Sequence, residues 1–295
     1  TEHRATLLEL TTNYPAVHSL LIAIASHSPY LWRLIRRDPA RLVRVLDADP
    51  DIHFTSLLAQ CHKAAEAHAG NEDDIKRALR LIKQEAALLI ALCDLGEVWD
   101  VIRVTEALSD LADATLEAAL KFLLAEEAAH NKIKPISATQ PSGVVVLALG
   151  KHGARELNYS SDIDIVVLYD AERAPLQEGV EPSPFFVKLV KGLVRLIDET
   201  TADGYVFRVD LRLRPDPGST PVAISVHSAF AYYESVGQNW ERAALIKARP
   251  VAGDIEIGEQ FLSELSPFIW RKYFDFAAIA DIHAMKRQIH AVRGH

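Results

Sequence analysis

Apolar residues in the first 134 positions recur at intervals of three and four, and beyond that point the period changes. Ile75, Leu79, Ile82, Ala86 and Leu89 fall on one stripe of a helix that Gly96 is expected to end. Val101, Val104, Leu108, Leu111 and Leu120 predict a second long helix reaching about His130. Pro15, Pro29, Pro39 and Pro50 stand where helix boundaries are expected, because proline fits a first helical turn but breaks a helix interior. The polar stretch from Lys134 to Ser142 then predicts a boundary between a helical domain, residues 1–135, and a second domain, residues 136–295.

The second segment carries strand patterns. Val144 to Leu149 is a short, continuous apolar run between Gly143 and Gly150, as in a strand buried on both faces, and Ile163 to Tyr169 predicts the next strand. A third is predicted over Tyr205–Pro215, where Tyr205, Phe207, Val209, Leu211 and Leu213 alternate with Arg208, Asp210, Arg212 and Arg214. Phe186, Leu189, Val190, Leu193 and Ile197 predict an amphipathic helix stopped by Asp203-Gly204. Further helices are predicted at Ser228 to Glu234, near Trp240, which is expected to anchor a core, and from Phe274 to Val292. The expected class is α+β: a helical N-terminal domain, then a mixed sheet flanked by helices, closed by a C-terminal helix.

Composition narrows the chemistry. Across 295 residues, 49% are apolar and 24% charged, with a formal net charge of −8, so the broad basic footprint of a nucleic-acid binder is absent. No run of eighteen apolar residues and no signal-type start occur, and a cytoplasmic protein away from membranes is expected. The absence of an initial Met, and an end directly after a helical pattern, predict a piece of a longer protein. Cys61 and Cys93 have no thiol partners at metal or disulfide spacing and are expected to be buried. His283 and His290, seven apart, do not make a zinc site by themselves.

The candidate chemistry lies in Asp162-Ile163-Asp164. Strand alternation points both carboxylates to one side, with Ile163, Ile165 and Val167 on the other. Two anions entering an apolar strand call for a counter-cation, and hard oxygen donors favour magnesium. Asp210, on the polar face of the third strand, can supply a third carboxylate, so that two magnesium ions about 3.5–4 Å apart are expected, with Arg212 and Arg214 available to phosphate oxygens. Gly150 and Lys151 lie in the loop leaving the first strand, where backbone N–H groups can meet phosphate. Ser161 can offer its hydroxyl to the same anion, or cap a turn. Arg208 is as readily a partner in an ordinary cross-strand ion pair, and Lys247 and Arg249 read best as solvated strand charges.

These residues resemble the DNA polymerase β-like nucleotidyltransferase superfamily, in which a glycine turn precedes an Asp-x-Asp strand and a later strand supplies a third Asp. The run from Gly150-Lys151-x-Gly153 through Glu156-Leu157-Asn158-x-Ser160-Ser161-Asp162-Ile163-Asp164 more narrowly resembles the glutamine synthetase adenylyltransferase/adenylyl-removing enzymes. So do Asp203 to Pro215, Tyr232-Tyr233, Trp240-Glu241-Arg242 and Lys247-Ala248-Arg249, and the helical Leu108 to Ala114. Glu156-Leu157-Asn158 and Arg208-Val209-Asp210 resemble the adenylyl-removing half of that family. The resemblance implies magnesium at Asp162, Asp164 and Asp210, and a reaction in which inorganic phosphate displaces AMP from an adenylylated tyrosine of glutamine synthetase, releasing ADP. It also implies regulation by the uridylylated PII signal protein. Two alternatives stand beside it: ATP-dependent adenylylation of glutamine synthetase, and a PII-binding regulatory module whose nucleotidyltransferase site is inactive.

Overall fold

The structure, a computed structural model, describes residues 2–136, 140–270 and 287. The helix expected from Phe274 to Val292, with His283 and His290, lies outside them apart from Arg287. Seven helices come first: α1 (Glu2–Asn13), α2 (Pro15–His27), α3 (Pro29–Arg37), α4 (Pro39–Asp47), α5 (Pro50–Ala67), α6 (Glu72–Leu95) and α7 (Val101–Ala129). Pro15, Pro29, Pro39 and Pro50 each open a helix, where the missing N–H has no intrahelical partner to lose. Ser28, Asp38, Asp49, Asn71 and Asp100 cap the starts of α3 to α7 with side-chain oxygens, and Gly96 caps the end of α6. Cys61 and Cys93 are buried among these helices. No described helix is long and apolar enough to cross a membrane.

The remaining described elements are β1 (Val144–Ala148), α8 (Gly150–Gly153), β2 (Ile163–Tyr169), α9 (Pro182–Asp198), β3 (Val209–Asp210), β4 (Ala223–Ser225), α10 (Val226–Val236), α11 (Asn239–Leu245), β5 (Arg249–Gly253), α12 (Ile255–Glu264) and α13 (Ser266–Ile269). β1 pairs antiparallel with β2 on one side and with β5 on the other. The far edge of β2 is shared lengthwise: β3 runs parallel to its start, Asp164 opposite Asp210, and β4 parallel to its end, Val167 opposite Ala223. The sheet is therefore mixed and flanked by helices, as expected for an α+β chain.

Alternation divides β2 between two cores. Ile163, Ile165, Val167 and Tyr169 join a core that continues through α9 and α7 to α2, while Val166 and Leu168 join a second core with α10 to α13. Asp164 has the parity of the second face, at the open end of the sheet.

Three sequence expectations change. The third strand shrinks from Tyr205–Pro215 to Val209–Asp210. Upstream, the N–H groups of Val206 and Phe207 both donate to Ile197 O, so this segment wraps the end of α9 and both side chains are buried, which strict alternation forbids. Helix α9 stops at Asp198, before Asp203-Gly204; Gly204, at φ +87°, closes a separate turn with Thr201. Trp240 is half-buried rather than a core anchor, and the fully buried residue beside it is Glu241.

Arg80 of α6 ties the two halves together. Fully buried, it donates to the carbonyls of Lys76 (2.8 Å), Leu196 (3.1 Å) and Gly204 (2.7 Å), and to that of Glu199. Leu196 O and Glu199 O lie at the end of α9, where carbonyls lack helical partners, so the guanidinium serves part of that C-terminus while Ile197 O accepts from Val206 and Phe207.

Candidate active site

Short apolar strands fix the carboxylates. Asp164 enters β2 directly after Asp162 and Ile163, and the parallel register sets it opposite Asp210. The Ile163 N–H donates to Arg208 O at 2.9 Å, locking that register. Asp164 is half-buried, and among the described residues its carboxylate has no hydrogen bond or ion pair. Burial, then the neighbouring charges of Asp210 and Asp162, push its pKa up to about 6, while Arg212 and Lys151 oppose the shift.

The two outer acids face arginines. Asp162 is exposed and receives Arg208 Nε at 2.5 Å; Arg208 also donates to Ser160 O at 2.6 Å and to the Tyr205 hydroxyl at 3.1 Å. Arg212 holds Asp210 with Nη2 at 2.5 Å and its backbone N–H at 2.8 Å, and its guanidinium keeps this carboxyl below the usual range. In this arrangement no three His, Cys, Asp or Glu side chains of the described residues are gathered closely enough to hold a metal ion. The donor set nevertheless suits a hard divalent cation: three carboxylates on adjacent strands, the innermost half-buried without a partner.

The glycine turn is shaped around Asp164. Gly150 opens the single-turn helix α8 at φ +56°, and a Cβ there would lie 2.6 Å from Asp164 Oδ2. Gly150→Ala is expected to combine about 1–2 kcal/mol of left-handed strain with displacement of Asp164, leaving a folded protein with impaired turnover; circular dichroism beside a turnover assay checks both. Gly153 admits no side chain, since its Cβ would lie 2.1 Å from Lys247 O.

Helix α7 holds this turn from behind. His152 is fully buried, and its Nε2 lies 2.7 Å from Asp113 Oδ1. Asp113 also accepts from Arg249 Nη1 at 2.6 Å, Asp110 pairs with Arg155 at 2.7 Å, and Glu117 accepts the Gly253 N–H at 2.8 Å. Asp110, Asp113 and Glu117 share a helix face at spacings of three and four, a signal open to sequence inspection but overlooked there. Asp113→Asn is expected to lose about 1–3 kcal/mol, because the amide weakens two charge-assisted bonds at once; chemical denaturation measures it.

Among the other candidates, Lys151 is exposed beside Asp164, and Ser161 donates to Asn158 Oδ1 at 2.7 Å. Arg214 is not brought to the acids: it donates to Leu211 O (2.9 Å), Pro217 O (2.7 Å) and Thr220 O (3.2 Å), shaping the loop between β3 and β4. Lys247 makes an exposed ion pair with Glu156 at 2.8 Å, whereas Arg249 belongs to the half-buried Asp113 cluster rather than to solvent. Glu241 is structural: it accepts from the Gln238 N–H at 2.8 Å in a capping box and from the Tyr232 hydroxyl at 3.0 Å.

A mixed sheet with Asp162 and Asp164 at the start of one strand, Asp210 on its parallel neighbour and a glycine turn against the inner acid is the arrangement that the resemblance to nucleotidyltransferases led us to expect. The chain belongs to the glutamate-ammonia ligase adenylyltransferase family, whose sequence model matches residues 18–264. It is 58% identical over 295 residues to the bifunctional glutamine synthetase adenylyltransferase/adenylyl-removing enzyme of Xanthobacter autotrophicus, covering 99% of this chain and 30% of the relative. The proteins of the same description from Bradyrhizobium diazoefficiens (97% of this chain, 29% of the relative) and Rhodopseudomonas palustris strain CGA009 (99% and 30%) are 52% and 51% identical to it. The chain thus spans about 30% of the length of these relatives.

Proposed function

We propose that this chain removes AMP from an adenylylated tyrosine of glutamine synthetase, with inorganic phosphate as the nucleophile, releasing ADP and the unmodified enzyme. The observation that carries this reading is Asp164, half-buried and unpaired between Asp162 and Asp210 and fitted against Gly150. Family membership supports the substrate, since the relatives' names join both adenylyl transfer and adenylyl removal. The Glu156-Leu157-Asn158 and Arg208-Val209-Asp210 forms favour removal.

Asp162, Asp164 and Asp210 would hold magnesium, two ions by the expected stoichiometry, which when bound supplies charge stabilisation at the α-phosphorus. To join Asp164 at a cation, Asp162 would leave Arg208 and Asp210 would leave Arg212, which would free both guanidiniums for phosphate oxygens. Lys151 adds a third cation at the glycine turn. Arg214 contributes indirectly, by fixing the loop that follows Arg212. An oxygen of inorganic phosphate bonds to the α-phosphorus as the bond to the tyrosine oxygen breaks, so the phosphate becomes the β-phosphate of ADP and the tyrosine recovers its proton. The same residues serve the reverse transfer. The proposed setting is the cytoplasm, with uridylylated PII as regulator.

The test incubates the chain with AMP-modified glutamine synthetase, Mg²⁺ and labelled phosphate, with and without uridylylated PII. Labelled ADP is the expected product. No ADP, with AMP transferred from ATP to unmodified synthetase, would replace this reading with the adenylyltransferase; neither activity, with PII bound, would favour the regulatory module.

A further inference from the structure

Helices α2, α3 and α6 meet the turn at residues 200–207 around a cavity of about 1080 Å³, the size of a small-molecule site. It is lined mainly by apolar groups, with the rings of Tyr30, Tyr205 and Phe207 among them. Three cations line it as well: Arg33, Arg37 and Lys83. Among the described residues none of the three has a carboxylate partner. Arg37 donates to Ala202 O at 3.2 Å and Lys83 to the Tyr30 hydroxyl at 3.1 Å, while Arg33 lies over the Tyr30 ring at 5.8 Å. Two acids line it too: Asp94 accepts from the Tyr159 hydroxyl of the same lining at 2.8 Å, and Asp203 lies 3.9 Å from Arg77. In a chain of net charge −8, an aromatic, apolar pocket whose three cations outnumber its two acids and pair with no carboxylate favours an anion with a flat apolar body.

We propose that this cavity is a nucleotide-binding site separate from the three aspartates, taking a purine ring between its aromatic side chains and phosphate at Arg33, Arg37 and Lys83. The site is built to influence the catalytic acids. Lys83 lies 5.3 Å from the Tyr205 ring centre, the Tyr205 hydroxyl accepts from Arg208, and Arg208 holds Asp162. A phosphate that draws Lys83 away from Tyr205 alters the support of the arginine that competes for Asp162. The same chemistry occurs in a free nucleotide and in the AMP group of a modified tyrosine.

The experiment titrates a fluorescent ADP analogue into the 295-residue chain in EDTA, where the aspartates repel phosphate. Saturable binding is expected, weakened about tenfold or more by Lys83→Met and by the Arg33→Ala/Arg37→Ala pair, and unchanged by Asp164→Asn. Melting curves of the variants confirm that they fold, and these partly or fully exposed side chains leave the core intact. Displacement by AMP but not by an AMP-tyrosine peptide identifies the free nucleotide; stronger displacement by the peptide identifies the substrate's own AMP group. Absence of binding in EDTA, or binding that survives the cation variants, overturns the proposal. Because no turnover is read, that result is independent of the deadenylylation assay.

Discussion

Asp164→Asn is expected to slow turnover by about a thousandfold or more, yet to make the cation-free protein more stable at pH 8. The carboxyl titrates at about 6 in the folded protein against an ordinary 3.8, so the folded state holds the proton more tightly than the unfolded chain does. Below pH 3.8 the group is protonated in both states and costs nothing. The cost grows as pH rises to about 6 and is complete above it. A shift of this size corresponds to about 3 kcal/mol at most; partial solvent access reduces it, and a gain of about 1–2 kcal/mol is expected for the variant. Urea unfolding in EDTA at pH 8 and at pH 4 reads the effect, which should shrink at the lower pH. In Mg²⁺ the wild type should gain stability and the variant much less. A variant that unfolds at the same urea concentration as wild type at pH 8 in EDTA would show that Asp164 is not strained by its neighbours.

Arg80→Met has the largest expected effect on stability. Methionine keeps much of the volume but removes every donor, leaving the carbonyls of Leu196 and Glu199 without the guanidinium and that of Gly204 with Thr201 alone. A loss of about 3–5 kcal/mol is expected, seen as a lower urea midpoint. Arg80→Lys should recover only part, since one ammonium cannot span carbonyls arranged around a planar fork. The segment these bonds anchor runs through Tyr205 and Arg208 into β3, so turnover should fall along with stability. A midpoint within experimental error of wild type would mean that water serves those carbonyls equally well.

The elements most legible in the sequence were those set by local rules. Four prolines announced four helix starts because the ring's fixed φ and missing N–H act on one residue at a time. The alternation read for β2 held from Ile163 onward because the strand is paired along both edges and its alternate side chains are divided between two cores. β3 was overextended because the segment before it turns to the end of α9, a long-range choice that alternation cannot report. β4, three residues after a loop rich in proline and glycine, offered too short a pattern to read. Arg208 and Arg249 looked interchangeable as strand charges, and only the fold separates the one beside Asp162 from the one bound to a helix 136 residues away.

One core runs without a break from Ile24 of the helical half to Ala252 of β5. This continuity makes the helices and the acid-bearing sheet one packed unit. A gene rearrangement that carried off residues 136–270 alone would deliver strands with one face stripped bare and Gly150's turn cut loose from Asp113. The three aspartates are therefore expected to keep their arrangement only in a piece of the chain that also carries the helices before them.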